Sequence, residues 1–596
     1  MTYTNVTSYM WNFIKNVLAV TTGFFLFTIL GIIALVAIVY SSSSEKVENI
    51  KEQSVLKLKL DKEIVERESE ELFSGGSFML KGSSIGLIDL IEAISLAKKD
   101  EKIKGIYLDI NSVHTGFATL EEIRNALLDF KKSGKFIVAY GESYTEGAYY
   151  LASVADKIFL PPSGSLEFNG LESEQLFFKG ALEKLNIKVE VFKVGSFKSA
   201  VEPFLLDKMS DSNRVQVKSF LNSIYDTYLT NVAASRKIER QTLKLISDSM
   251  LVHNAQDALN YGLVTDMEYY NKAEAYIRSM TGQDGTAKLN FVGYSSLLED
   301  HELKLESSEN KIAVIIANGE IRSGKGNDEV IGSETLAAQI RKAREDSKIK
   351  AIVLRINSPG GSALASDVIW NEVVLAKKVK PIIASMSDVA ASGGYYIAMA
   401  CDTIVAQPTT ITGSIGVFGL VLNVENFLKE KLGVTTDREK TGRFSDVGSA
   451  TRTLTVYEKK IIQQEVEQIY EDFTSKAAIG RNMSQEELKH YAQGRVWSGS
   501  EALQIKLVDK LGGIGEAVKL AAEKAGLKEN YSLVYWPEQK NSFWKKLLSG
   551  ISDGEATTES MLQKELGSMY PYVKSVKDLE QMNGIQARMT YKLLVK

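Results

Sequence analysis

The pattern of hydrophobic and polar positions predicts a membrane-spanning segment near the N-terminus. Residues 17–40 carry no charge, and as a helix they would extend about 36 Å, enough for a tilted bilayer crossing. A cleaved signal peptide is the alternative, since the small residues Ser41–Ser44 follow, but the apolar run exceeds the usual hydrophobic region of such peptides. We therefore expect an uncleaved anchor. The flanking charges do not fix its orientation.

Beyond a charged connector, the pattern becomes that of a folded α/β domain. Val55–Leu60 alternates apolar and polar residues with period two, as a half-buried strand does. Asp89–Lys99 has apolar residues at helical spacing, and Lys102–Ser112 then reads as a strand. Helices that alternate with strands indicate β-α units and a parallel sheet.

The second half of the chain repeats the first. Lys348–Ser358 matches Lys102–Ser112 at all but three of eleven positions, at an offset of 246 residues. The same offset relates the pair Tyr149-Tyr150 to Tyr395-Tyr396. Self-similarity over this length predicts a duplicated domain. The expected divisions are an anchor and connector over 1–50, a first domain over 51–300, a second over 301–540 and a C-terminal extension over 541–596.

Composition and charge narrow the range of functions. The net charge is −4 and no long basic run is present, so nucleic acid is excluded as a partner. Cys401 is the only cysteine, which excludes intrachain disulfides and cysteine-ligated zinc sites. The four histidines lack the spacing of a metal motif. We expect no metal or cofactor, and any hydrolysis must proceed without a histidine pair.

Two candidate chemical groups lie in different copies. Ser387–Tyr396 is a turn of small residues between two apolar runs, and its Ser392 aligns with Glu146 of the first copy. Lys198 of the first copy aligns with Ser445 of the second. The stretch Ser387–Tyr396 alone is also compatible with an ordinary turn of small residues before a helix. A peptidase without histidine can combine a serine nucleophile with a neutral lysine base, so these complementary losses favour one site shared by both copies.

The chemistry of such a pair sets two further requirements. The lysine pKa must fall by about three units, or about 4 kcal/mol, through burial or a nearby cation. The neighbours Phe197, Val201, Pro203 and Phe204 offer an apolar wall.

A tetrahedral intermediate also needs two hydrogen-bond donors, for which we expect the backbone N–H groups of Gly393 and Gly361. Gly361 lies in the loop Asn357–Ser362, whose first-copy counterpart Asn111–Gly116 lacks the double glycine. A phosphate-binding loop is disfavoured because no G-x-x-x-x-G-K-[ST] motif is present.

Four motifs resemble the long, tandem-domain form of bacterial signal peptide peptidase A (protease IV). They are Arg355–Gly361, Ser387–Tyr395, Thr412–Gly416 and Gly195–Pro203. The resemblance implies a Clp-protease/crotonase-like fold, a dyad of Ser392 and Lys198, and an oxyanion hole at Gly361 and Gly393. It also implies a dome-shaped homotetramer, a single inner-membrane anchor with the body in the periplasm, and hydrolysis of remnant signal peptides and other apolar peptide segments.

Two other functions compete with the peptidase. A crotonase-like acyl-thioester enzyme would use Glu146 as its base, although a solvated or salt-bridged carboxylate at a vacated site is the simpler interpretation of this residue. A non-enzymatic membrane scaffold has no need for complementary losses. The sequence does not decide whether Ser392 and Lys198 meet within one chain or across subunits.

Overall fold

The computed structural model describes most of the chain in two compact units. The larger unit comprises residues 50–69, 83–538 and 568–596, and the smaller comprises residues 1–49, 70–82 and 539–567. The described residues are 11, 13, 15–28, 30–31, 50–68, 73–74, 77–78, 84–283, 285, 288–302, 308–528, 530–538 and 584–589.

In the smaller unit, the described residues between 11 and 31 are helical and exposed, and Phe73–Ser74 pairs antiparallel with Ser77–Phe78. The predicted membrane crossing, residues 17–40, lies partly outside the described residues. Among the residues that are described, no helix combines the length and the apolar character that a bilayer crossing requires.

The first half of the larger unit contains a parallel sheet. In spatial order its strands are Asp266–Met267, Lys157–Leu160, Phe136–Tyr140, Ile103–Asp109, Ser54–Lys59 and Phe291–Gly293. All pairs are parallel. The sequence placed strands over Val55–Leu60 and Lys102–Ser112, and both predictions are confirmed to within a few residues.

The second half contains a sheet with the same strand order. Its corresponding strands are Lys510–Leu511, Thr403–Ala406, Ile382–Ala391, Ile349–Ser358, Lys311–Asn318 and Ser532–Trp536. Two further strands, Ile411–Gly413 and Val496–Ser498, extend the sheet beside the C-terminal part of Ile382–Ala391. Matching strand order in both halves is the structural form of the sequence repeat. The domain bounds 51–300 and 301–540 stay predictions.

The helices follow the strands in both halves, as the alternating pattern predicts. In the first half they are Leu87–Lys99, Phe117–Lys131, Glu146–Ala152, Lys179–Lys184, Glu202–Leu205, Asp211–Arg236, Arg240–Asp248, Ala255–Asn260, Tyr270–Thr281 and Tyr294–Glu302. In the second half they are Ser333–Glu345, Ala363–Lys377, Gly393–Ala398, Val456–Arg481, Gln485–Tyr491, Gly499–Gln504 and Ile514–Lys524. The strand Ile349–Ser358 is buried along almost its whole length, which is typical of parallel strands covered on both faces.

A third sheet joins strands from both halves and from the C-terminal region. In spatial order its strands are Lys188–Lys193, Phe418–Asn423, Gly584–Arg588, Gly360–Ser362, Glu320–Arg322 and Val330–Gly332. Two short parallel pairs complete the strands: Ile64–Val65 with Ile85–Gly86, and Ser143–Tyr144 with Ser165–Leu166. Because this third sheet carries the double-glycine loop, it positions the candidate site described below.

A buried ion triad also connects the halves. Arg355, on the central strand of the second half, has 0% of its side chain exposed. Its Nε lies 2.8 Å from Glu66 Oε2, and its Nη2 lies 2.7 Å from Glu122 Oε1. Both carboxylates belong to the first half and are buried. Removing one partner from such a group leaves uncompensated buried charge.

We therefore expect Arg355→Leu to lower the free energy of unfolding by about 3 to 5 kcal/mol, since two buried carboxylates lose their cation. Urea unfolding near neutral pH measures the change. A matched control is Lys244→Ala, which removes the exposed pair with Asp248 and should cost less than about 1 kcal/mol. Equal losses in the two variants would contradict a structural role for the triad.

Candidate active site

Ser392 lies at the junction that the sequence predicts, between the strand Ile382–Ala391 and the helix Gly393–Ala398. Its backbone has φ 56° and ψ −112°, a conformation that costs a residue with a side chain on the order of 1 to 3 kcal/mol. The Ser392 N–H donates to the Gly413 carbonyl at 2.8 Å. The turn therefore holds the serine in a strained backbone geometry.

Lys198 follows the strand Lys188–Lys193 and directly precedes a short 3₁₀ turn, Ser199–Val201. Its loop is held against the second half of the chain. The Phe197 N–H donates to the Gln493 carbonyl at 3.1 Å. A Cβ on the next residue, Gly494, which has φ 79°, would lie 2.7 Å from the Lys198 backbone. Only glycine fits this close approach without displacement.

The two predicted groups meet within one chain. Lys198 Nζ lies 2.8 Å from Ser392 Oγ, and the side chains are 1% and 0% exposed. The same nitrogen lies 3.2 Å from both the carbonyl oxygen and Oγ of Ser414. A neutral amine has two N–H donors and one lone pair. The two N–H groups can therefore donate to the two Ser414 oxygens, while the lone pair accepts from the Ser392 hydroxyl.

Burial lowers the pKa of Lys198 to about 7, because the charged form loses its hydration. Val201 and Phe204, two of the apolar residues that follow Lys198 in the sequence, pack with Phe418 in one buried cluster. The lysine stem also approaches Gly416, where a Cβ would lie 3.3 Å from Lys198 Cδ. The sequence allows either burial or a nearby cation to lower the pKa of Lys198, and burial is the cause in this structure.

The double-glycine loop lies close to the serine turn. A Cβ on Gly360, which has φ 95°, would lie 2.6 Å from Gly393 N and 2.1 Å from the carbonyl oxygen of Ala587. A Cβ on Gly393 would lie 3.1 Å from that same oxygen. The neighbouring Gly361 is the pairing partner of Ala587. A peptide carbonyl oxygen therefore lies between the two glycine segments.

That carbonyl belongs to a C-terminal strand. Gly584–Arg588 pairs antiparallel with Gly360–Ser362 on one side and with Phe418–Leu420 on the other. The Met589 N–H donates to the Pro359 carbonyl at 2.7 Å, and Arg588 Nη1 lies 3.1 Å from Glu320 Oε1. The end of the C-terminal region is apolar, but its role cannot be read from the sequence, and residues 590–596 lie outside the described part. An extended segment of the chain itself thus lies between Gly360–Ser362 and Phe418–Leu420.

Comparison with known proteins identifies the family. The sequence profile of Peptidase family S49 matches residues 129–283 and again residues 375–528. The chain belongs to peptidase family S49. This assignment makes the protein a serine protease and confirms the resemblance drawn from the motifs.

Curated relatives of this S49 peptidase cover most of its length. Protease 4 of Haemophilus influenzae is 34% identical over 570 residues, which are 92% of each chain. The chloroplastic serine protease SPPA of Arabidopsis thaliana is 34% identical over 516 residues, 85% of this chain and 74% of that protein. Among solved structures, a ClpP1 variant from Listeria monocytogenes covers 34% of this chain with 18% identity and a TM-score of 0.24.

The expectation for Glu146 is wrong. This residue, which aligns with Ser392, is only 1% exposed and makes no ion pair with any described residue. Its Oε1 accepts the backbone N–H groups of Asn169 at 2.7 Å and Gly170 at 2.6 Å. Burial raises the pKa of Glu146 to about 7. In this S49 peptidase the carboxyl group fastens the loop that contains Asn169 and Gly170.

Sequence reasoning missed Ser414 as a lysine partner. Its signal was present, because Ser414 lies in the motif Thr412–Gly416 that contributed to the resemblance. Gly494 gave no signal, since nothing in a lone glycine shows that another loop packs against it. The contact with Lys198 arises only from the folded arrangement of the S49 peptidase.

The lowered pKa of Lys198 predicts a pH-dependent effect of Lys198→Met on stability. Between a folded pKa of about 7 and the unfolded value, the unfolded chain binds one more proton at this site, so wild-type stability gains with rising pH. We expect the stabilising effect of Lys198→Met to be largest at and below about pH 7. From about pH 7 to about pH 9.5 this advantage should shrink by roughly 3 kcal/mol.

Urea unfolding of both proteins at the two pH values measures this change, and other titrating groups cancel in the comparison. Lys208→Met, at an exposed position of the same half, is the control. An advantage of Lys198→Met that stays constant with pH would show that the buried amine keeps an ordinary pKa.

Proposed function

We propose that the chain is a membrane-anchored serine endopeptidase that hydrolyses remnant signal peptides and other apolar peptide segments. Ser392, from the second domain, is the nucleophile, and Lys198, from the first, is the general base. The observation that carries the proposal is the 2.8 Å contact between the buried lysine amine and the serine hydroxyl. A base near pH 7 must be largely neutral, which agrees with the lowered pKa of Lys198.

In the first step, neutral Lys198 accepts the hydroxyl proton while Ser392 Oγ forms a bond to the scissile carbonyl carbon. The carbonyl π electrons move onto oxygen, which becomes an oxyanion. Gly361 and Gly393 donate their backbone N–H groups to it. Support comes from Ala587, whose carbonyl oxygen already lies beside both glycine segments. Each donor of this kind typically contributes about 3 to 4 kcal/mol.

In the second step, the carbon–nitrogen bond breaks and the Lys198 ammonium gives its proton to the leaving amine. An acyl ester on Ser392 remains. Water then attacks this ester while the neutral lysine takes a proton from the water. The carbon–oxygen bond to Ser392 breaks, and the lysine returns the proton to Oγ. Atoms and protons balance without any cofactor.

The substrate binds as an extended strand between Gly360–Ser362 and Phe418–Leu420. Backbone pairing with two flanking strands recognises a peptide without reading its side chains. The C-terminal strand Gly584–Arg588 occupies these positions by the same pairing. The apolar character of the substrate agrees with the burial of Phe418 and Leu420 beside the groove.

The wider setting is part of the proposal. Residues 17–40 form a single inner-membrane anchor, and the body lies in the periplasm. The uncharged run of these residues and the resemblance to signal peptide peptidase A support this placement. Both domains, over 51–300 and 301–540, have a Clp-protease/crotonase-like fold, and the protein assembles as a homotetramer, as that resemblance implies.

Ser392→Ala and Lys198→Ala should each reduce peptide cleavage by at least about 10⁴-fold, because nucleophile and base act as a unit. Wild-type kcat/KM should fall tenfold per pH unit below about pH 7, as the lysine becomes protonated. Initial rates on an apolar fluorogenic peptide give both results. Ser445→Ala, at the exposed second-copy counterpart of Lys198, is the control. Near-normal turnover by Lys198→Ala would refute the dyad.

Ending the chain after residue 583 should raise kcat/KM for peptides, because the strand Gly584–Arg588 and a substrate compete for the same backbone partners. We expect KM to fall severalfold with kcat almost unchanged. Steady-state kinetics of the full and shortened proteins measure the change. A full-length variant with Arg588→Ala, which loses only the contact with Glu320, should lie in between. Lower kcat in the shortened protein would instead mean that this strand supports the site.

A further inference from the structure

We propose that Asp388 is a positioning residue that locks the strand carrying Ser392 onto the half of the chain that carries Lys198. It does so by binding the N-terminus of the helix Phe117–Lys131. This inference rests on the proposed Ser-Lys mechanism and names a residue, four positions before Ser392 in the chain, on which the geometry of that pair depends.

The contact has two hydrogen bonds. Asp388 Oδ1 accepts the backbone N–H of Thr119 at 2.9 Å, and Asp388 Oδ2 accepts the Thr119 hydroxyl at 2.6 Å. The first N–H groups of a helix have no partner within the helix, and this end carries partial positive charge. A carboxylate is therefore the complementary group, although this one comes from the other half of the chain.

Comparison of the two copies shows that this contact is specific to one of them. In the second copy, the helix Ala363–Lys377 is capped by the residue that directly precedes it, because Ser362 Oγ accepts the Ala365 N–H at 3.3 Å. At the offset of 246, Gly116 replaces Ser362 and Thr119 replaces Ala365. Gly116 has no side chain and cannot cap its helix. Asp388 supplies the missing cap.

The space at Gly116 fits this role. A Cβ built there would lie 2.3 Å from the Asp388 carboxyl group, so any larger residue would displace it. The first-copy counterpart of Asp388 is Glu142, which is exposed. The first-copy loop that ends at Gly116 therefore leaves room for the Asp388 carboxyl group of the second copy. Among the described residues, Glu142 makes no corresponding contact with the helix Ala363–Lys377.

The same helix turn fixes the strand a second time. Glu122 pairs with Arg355 at 2.7 Å, and Arg355 donates to the hydroxyls of Ser385 and Ser387 at 3.0 Å each. Asp388 follows these serines and precedes Ser392 by four positions on the same chain. Loss of the Asp388 contact lets this end of the strand move relative to the first half. A displacement of about 1 Å at a reacting pair can cost about 10²-fold in rate.

A purely structural cap must be separated from positioning, and the chain offers a matched variant. Asp388→Ala removes both the cap and the tie between the halves. Adding Gly116→Ser to Asp388→Ala restores a cap from the residue directly before the helix, as Ser362 provides in the second copy. It does not restore the contact between the two halves. Gly116 has φ −82° and ψ 168°, which serine adopts freely.

The experiment measures kcat, KM, the thermal midpoint and the rate of Ser392 labelling by a small serine-directed phosphonate. We expect Asp388→Ala to lower kcat and labelling about 10²-fold, with KM within about twofold of wild type. The double variant should regain the thermal midpoint but not kcat. Recovery of kcat together with stability would overturn the proposal, as would wild-type kcat in Asp388→Ala.

Two additions keep the result decisive. If Asp388→Ala does not fold, Gly116→Ala serves instead, because its Cβ pushes the carboxylate from the helix, and it should lower kcat with KM retained. Ser392→Ala and Lys198→Ala are measured in parallel. Cleavage that persists in those variants refutes the proposed function, whereas their inactivity with full activity of Asp388→Ala and Gly116→Ala refutes only the role of Asp388.

Discussion

The buried contact between the Lys198 amine and the Ser392 hydroxyl is the constraint on which the rest of the structure depends. Removing the amine from water lowers its pKa to about 7, a differential interaction of about 5 kcal/mol against the charged form. That cost is useful only if the lone pair stays aimed at Ser392 Oγ, 2.8 Å away. The two residues are 194 positions apart in the chain, so their geometry is set entirely by how the two halves pack.

The two halves are held in this geometry by directional contacts. The strand before Lys198 pairs with the strand Phe418–Asn423, in register from Lys193 opposite Phe418. The buried ion pairs of Arg355 with Glu66 and Glu122 also join the two halves. Apolar contacts alone would allow the halves to shift relative to each other. Buried hydrogen bonds and ion pairs tolerate little displacement, because each group left without its partner is costly. Packing of this kind can therefore hold Lys198 and Ser392, which come from different copies, in a fixed relative geometry.

Much of this arrangement was predictable from the sequence. The repeat at an offset of 246 gave the matching sheets, and the complementary differences at Ser392 and Lys198 predicted that they meet. Other contacts were not predictable, because they join surfaces without a local pattern. Gly494 against Lys198 and the C-terminal strand in the groove are of this kind. Glu146 was misjudged because a carboxylate suggests solvent or a cation, whereas here two backbone N–H groups donate to one of its oxygens, Oε1.

The most direct test of the account is an NMR titration of the Lys198 amine in protein with isotopically labelled lysine. Its signal is assigned by its absence from the Lys198→Met variant. The account predicts a midpoint near pH 7, far below the ordinary lysine value. A Lys198 midpoint above about pH 9 would contradict the central claim, because the amine would then be protonated under working conditions and unable to act as a base.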